Sequence, residues 1–446
     1  MSIPRPACLW LALTVSLACS SEPETYGAAR YEGLSRAASL VRELRFVNEV
    51  PIREISHDEF DDERVPYTPE QVERLHQTWG RFGYFGPHVD IDAATDDADD
   101  RVAGYYRSDT GEITIVGSPS NETIVHEYVH ALQDQHFDLV AIDEAADSTD
   151  AFLARRAVVE GDATLAESRY HLASLFRVDL DQVDWARALA AHRETVDSLL
   201  AEAEGPVYSL AYSSFTYAYG QEYALEMLTG STLESPQPTR TPPYDWSDNN
   251  AAFAGPPSST IAILSRDEAL VPPTIGLQTV PLSVQDRLSA VGHDRIGAWM
   301  IYLLWYPLGA PERAFELVLN WRSDRLLFVQ DTTSEQVGFV WTTRWTTPVA
   351  AAQAAANWWL VHGGADDGVG HGASTNGEAL YLQQRGTDVV AMRNVDPALA
   401  PTIADESLAG TRADVTDPAV ETRSAALRAD FIALLERNKR GPAPQR

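Results

Sequence analysis

The sequence predicts an α+β fold dominated by helix, on three observations. Residues 150–175, 180–204 and 419–438 are rich in Ala, Leu, Glu and Arg, with apolar residues recurring at helical spacing. Extended signals are few: 101–106 and Glu112–Val116 flank Ser108-Asp109-Thr110-Gly111 and read as one β-hairpin, and 337–342 reads as a further strand. Hydrophobic residues make up 44% of the 446 and charged residues 22%, the balance of a chain that buries a large core. At roughly 100 to 200 residues per domain, that length accommodates two or three domains, or one large domain with lobes.

The chain opens on Arg5 and an apolar run over 8–18 that is too short to cross a bilayer and ends in small residues, so 1–18 reads as an export signal. Ser16-Leu17-Ala18-Cys19 is similar to a bacterial lipobox, with Ser16 where Leu is usual. Cys19 is therefore expected to become a lipidated N-terminus that holds the protein at the cell envelope, on the outer membrane or cell surface, with 19–28 as a polar tether. Secretion after cleavage at Ala18 is the alternative. Cys8 and Cys19 are the two cysteines of the sequence, which excludes a disulfide or a cysteine metal site in the folded body. Lys plus Arg number 34 against 65 Asp plus Glu, a net charge of −31. That surface repels phosphate backbones and anionic lipid, so no nucleic-acid partner is expected and membrane contact is expected through the anchor only.

Helical periodicity follows at 29–50, where Leu34, Ala37, Val41 and Leu44 share a side, and at 68–82. The acidic run 90–100 lacks the glycine and distal glutamate of a calcium hand and reads as a solvated loop. After the hairpin a helix is expected at 120–136, and the tyrosine-rich 207–230 reads as another that stops at Gly230. Residues 233–260, rich in Pro, Ser, Thr and Asn from 235 to 257, form the expected surface connection between a unit at 29–232 and a helical and mixed C-terminal lobe at 261–446. Within that lobe helices are expected at 293–307 and 312–320, and 363–377 is expected to be a flexible loop with His371 in solvent.

One constellation carries chemistry: His126-Glu127-Tyr128-Val129-His130, an HExxH on the expected 120–136 helix. At about 100° per residue, histidines four apart lie about 40° apart on one face, so two imidazoles can bind one ion. Glu127 sits at the edge of that face, placed to take a proton from water activated by the metal. Neutral imidazole and carboxylate with one open position suit zinc. A third ligand is needed, and two residues compete. His136 gives HExxHxxQxxH, close to the metzincin signature, but Gln133 stands where that family turns the chain with glycine. Glu160, in Val158-Val159-Glu160-Gly161-Asp162-Ala163 on the next helix, has small neighbours that allow close helix approach. A glutamate from a second helix is the gluzincin arrangement, and Glu160 is the expected ligand, with Glu167 and His171 as second choices. On this reading 29–232 is a zincin-like domain with a small sheet.

Residues 126–139 (HEYVHALQDQHFDL), 158–164 (VVEGDAT) and, more loosely, 256–260 (PPSST) and 320–325 (NWRSDR) resemble a family of exported HExxH metallopeptidase-like surface lipoproteins of bacteria and haloarchaea. The resemblance spans much of 30–345, and HExxH with the EG pair is its specific part. It implies zinc on His126, His130 and Glu160 and Glu127 as general base, without fixing a substrate; with the base intact, the substrate expected here is a peptide or protein. Ser259 and Trp321 read equally as functional or packing residues. Zincins commonly run the strand before the active-site helix beside the cleft, which points to Glu112–Val116 here. Tyr217, Tyr219 and His171 are available as oxyanion donors, and Asp134 and Asp162 as carboxylates orienting the imidazoles. A non-catalytic metal-binding envelope lipoprotein and an amidase acting on cell-wall peptides are the rival readings.

Overall fold

A computed structural model describes residues 28–436, excluding 64, 87, 92–101, 177–182, 203–211, 213, 233–234, 236–237, 268–269, 365–366, 369 and 410–416. The expected export signal, Cys19, nearly all of its tether and most of the acidic run lie outside the described residues. The architecture is α+β, with one small and one larger sheet.

The first part combines helices with a three-stranded sheet. Helix α1 (Ala28–Arg42) leads to strand β1 (Ile52–Ile55), short helices α2 (His57–Asp62) and α3 (Pro69–Leu75), and a π-helical turn at His76–Gly80. Strands β2 (Gly104–Arg107) and β3 (Glu112–Val116) form the expected hairpin, whose turn needs Gly111 at φ +70°. β1 pairs parallel to β3 and β2 antiparallel to it, giving the order β1-β3-β2. Helices α4 (Asn121–Phe137), α5 (Leu139–Glu144), α6 (Thr149–His171) and α7 (Trp185–Glu202) follow, then α8 (Gly220–Thr229), α9 (Ser247–Ala254) and α10 (Thr260–Ser265). Gly230, at φ +70°, ends α8 as expected. Within 233–260, Tyr244, Trp246 and Phe253 are buried in the core.

The larger sheet is antiparallel, in the order β4-β5-β6-β9-β8-β7. Its strands are β4 (Leu288–Asp294), β5 (Trp321–Asp331), β6 (Val337–Trp345), β7 (His371–Ala373), β8 (Ala379–Arg385) and β9 (Asp388–Arg393). Around it lie α11 (Gly297–Trp305), α12 (Pro311–Val318), α13 (Pro348–Val361), α14 (Ala400–Ala409) and α15 (Pro418–Glu436). The helix expected at 293–307 therefore starts late: His293 and Asp294 end a strand, and the turn Arg295-Ile296 separates them from α11. His371, expected in solvent, lies in edge strand β7 with its ring 4.8 Å from that of Tyr381.

A buried charged joint ties the sheet to the helical part. Asp150, in the first turn of α6, accepts from Thr260 N at 2.8 Å, Thr260 Oγ1 at 2.6 Å and Arg295 Nε at 3.1 Å. Asp294 accepts from Thr149 N at 3.0 Å, and Asp324 of β5 from Ile296 N and Gly297 N at 3.1 and 3.0 Å. These bonds compensate carboxylates removed from water. A Cβ on Gly297 would fall 1.9 Å from Asp150 Oδ1, so only glycine fits there. The 256–260 and 320–325 segments are thus structural: Ser259 caps α10 and Trp321 is wholly buried.

Candidate metal centre

α4 keeps both histidines on one inward face because nothing interrupts it. Ser120 caps it, its Oγ accepting from Thr123 N at 3.2 Å, and the helix runs through Gln133 until Asp138 turns it at φ 58°. Ile124, Val129 and Leu132 anchor it in the core around the small sheet. α6 lies antiparallel across it, since Glu122 meets His171 at 3.1 Å, His126 meets Glu167 at 3.1 Å and Gln133 donates to Val159 O at 3.0 Å.

Glu160 reaches the histidines because α6 is squeezed from its far side. A Cβ on Gly161 would lie 2.0 Å from the carbonyl carbon of Gly220, and one on Gly220 would lie 2.3 Å from Ala157 O. Two glycines let the backbones touch. The contact also brings in the π-helical turn Ser214–Tyr219, a backbone form frequent at functional sites, with Tyr212 two residues upstream of it. Tyr212 OH donates to Glu160 Oε1 at 3.0 Å, and the Tyr217 ring stacks on His126 with centroids 5.8 Å apart and planes 16° from parallel.

His126 Nε2 and His130 Nε2 lie 3.0 Å apart, with Glu160 Oε2 3.4 and 3.3 Å from them. All three residues are buried, and among the described residues they are the group whose possible ligand atoms all fall within 4.8 Å of one another. Each Nδ1 faces an acceptor, Glu167 Oε2 for His126 and Gln133 Oε1 at 2.9 Å for His130. Donation from Nδ1 turns both Nε2 lone pairs toward one another and toward a carboxylate oxygen. Arg156 Nη2, at 2.8 Å, and Tyr212 hold the other oxygen of Glu160, so Oε2 is the one presented. Three converging electron pairs fit a cation, and two nitrogens with one oxygen form the ligand set of a three-residue site with a fourth position open. A proton fits the same place: burial lowers His126, but its hydrogen bonds to Glu160 and Glu167 outweigh that and raise it to about 9.

Glu127 is buried beside this triangle and outside it. Its neighbour is β2, where a Cβ on Gly104 would come within 3.6 Å of Glu127 Cγ. This corrects the expected cleft strand. Glu112–Val116 is the central strand, paired on both sides, and the edge next to Glu127 is β2.

The remaining candidates disperse. His136 is exposed, its Nε2 2.8 Å from Arg45 O. Asp134 accepts from Tyr106 OH at 2.8 Å and Leu139 N at 3.0 Å and touches neither imidazole; Asp162 acts one step removed, through Gln133. Tyr219 packs in the core under Arg193, 4.1 Å from its ring centroid. Gln133, Arg156 and Tyr212 were not foreseen. Arg156 stands four residues before Glu160 and Gln133 three after His130, helical spacings that carry a local signal for the first two.

A family model described as a domain of unknown function (DUF8575) matches residues 286–407. That stretch contains all of the six-stranded sheet and none of His126, Glu127, His130 or Glu160. No curated protein and no solved structure matches the chain.

Proposed function

We propose that this chain is a zinc-dependent peptide hydrolase of gluzincin type with a zincin-like first part. The observation that carries the reading is the convergence of His126 Nε2, His130 Nε2 and Glu160 Oε2, with Glu127 of the same helix beside them and not among them. Zinc suits two neutral imidazoles and a carboxylate. When bound, it supplies a Lewis acid that acidifies water and polarises a carbonyl oxygen. Glu127 takes the proton of the attacking water and returns it to the amine nitrogen as the C–N bond breaks. Glu167 and Gln133 hold the two rings in register for the ion. An extended peptide adds as a fourth strand along β2, where Gly104 leaves the approach to Glu127 open.

The test is metal content and cleavage on the same full chain. One zinc per chain after dialysis is expected, with cleavage of a diverse peptide mixture that a chelator abolishes and added zinc restores. Zinc-loaded protein that cleaves nothing would favour a non-catalytic metal-binding envelope protein. The lipobox-like segment further supports export and anchoring through Cys19. Cys19→Ser is expected to move the protein from the membrane fraction to the soluble one, since one acyl chain binds weakly and several hold firmly; undiminished membrane retention contradicts the anchor.

A further inference from the structure

Behind His130 the hydrogen bonds continue inward through groups that are fully buried. Gln133 places Oε1 on His130 Nδ1 at 2.9 Å and donates from Nε2 to Val159 O at 3.0 Å and Asp162 Oδ2 at 2.7 Å. The same Asp162 Oδ2 accepts from Arg42 Nε at 2.7 Å, and Arg42, 0% exposed, also donates to Asn250 Oδ1 at 2.6 Å and lies 4.3 Å from the Trp246 ring centroid. Both groups facing Gln133 Nε2, a carbonyl and a carboxylate, only accept. That settles the direction of the amide: its NH2 must face them and its oxygen must face His130. His130 then has one way to satisfy Nδ1, as a donor, and its Nε2 presents a lone pair.

We propose that Arg42, on the first described helix, is a positioning residue for the metal centre: through Asp162 and Gln133 it fixes which nitrogen of His130 is turned to the ion. The inference rests on the metal-site reading above. Without the guanidinium, Asp162 is a buried carboxylate lacking its cationic partner and is drawn away from Gln133 toward other donors or water. That displacement removes one of the two acceptors at Gln133 Nε2 and leaves Val159 O alone to hold the amide. Held by Val159 O alone, the amide turns more easily to point a donor at His130 Nδ1, which favours the tautomer with hydrogen on Nε2, where the ion has to bind.

The full chain carrying Arg42→Met, close in length and apolar, is compared with wild type by zinc titration and by the visible spectrum of the cobalt-loaded protein. Wild type should bind one equivalent. Arg42→Met should weaken zinc by about 10- to 100-fold, the usual cost of losing an outer partner of a ligand, and change the cobalt bands, which report ligand geometry. Arg42→Lys, which restores a cation beside Asp162, should recover most of the affinity. Gln133→Met leaves the Arg42–Asp162 pair in place and cuts only the link, so it should weaken zinc similarly, and it carries the test if Arg42→Met does not fold. Folded Arg42→Met and Gln133→Met that bind zinc as wild type does, with unchanged cobalt spectra, overturn the positioning role. Wild type that binds neither metal overturns the metal-site reading itself.

Discussion

Glu127 and Glu160 carry the same functional group in different surroundings, which is why the proposal gives them different tasks. Glu160 has one oxygen tied by Arg156 and Tyr212 and the other aimed at two imidazoles, whereas Glu127 lies beside the triangle next to the sheet edge. Glu127→Gln is therefore expected to keep stoichiometric zinc and lose at least about 100-fold in turnover, the lower end of what general acid–base groups contribute; metal analysis and initial rates on one preparation check both. Glu160→Ala should lose most of its zinc while His136→Ala retains it, since His136 is outside, bonded to the Arg45 carbonyl. The opposite pattern in metal content would favour the metzincin geometry. The histidines were legible in sequence because a helix fixes the relation of residues four apart. Glu167 as the partner of His126 was not legible as such, because that pairing depends on how α6 crosses α4.

Secondary-structure elements position this site through contacts that tolerate no added atom. At the Gly161–Gly220 crossing a methyl group would strike backbone on backbone, and neither side can rotate away. Gly161→Ala should cost about 1–3 kcal/mol, as overpacking typically does, and reduce zinc affinity as well, because the neighbouring Glu160 moves with the helix; thermal unfolding and zinc titration read the two effects. A fall in stability with unchanged zinc affinity would show that Glu160 does not depend on this crossing. The small residues beside Glu160 were visible in sequence, and so was the hairpin. The six-stranded sheet was not, apart from part of β6. β5 shows why: Leu326 and Phe328 face one core while Leu327 and Val329 face another, and its first half carries Arg322, Asp324 and Arg325. Burial on both faces erases alternation, and charges spent in a buried joint disguise a strand as a loop. β1 escaped because four residues are too few to show a period.

Across the whole molecule the two parts share their interior. Trp79, in the π-helical turn after α3, stacks on Phe431 of α15 at 3.8 Å and meets Phe328 of β5 at 5.3 Å, and Phe82 meets Phe339 of β6 at 5.1 Å. Acid should loosen this assembly through His362. Burial, with Arg393 adding to it, pushes that imidazole down to about 3. Between its ordinary 6.5 and about 3 the unfolded chain takes up a proton that the folded chain refuses, so stability is present above 6.5 and lost as pH falls, by up to about 1.4 kcal/mol per pH unit. His362→Gln should lose correspondingly less than wild type when thermal unfolding is compared at pH 6.5 and 5.5; equal losses would assign the acid sensitivity elsewhere. The charged joint has a different consequence. Asp150 and Glu160 ride on one uninterrupted helix, ten residues and so about 15 Å apart along its axis. α6 is a stiff rod with one end pinned among β4, β5 and α10 and its middle carrying Glu160, the proposed ligand, so any load that shifts the sheet is felt at that carboxylate. The relation runs both ways, because coupled equilibria are reciprocal: zinc should slow amide hydrogen exchange at Ile296 and Gly297, far from any ligand, and Asp150→Asn should uncouple the two.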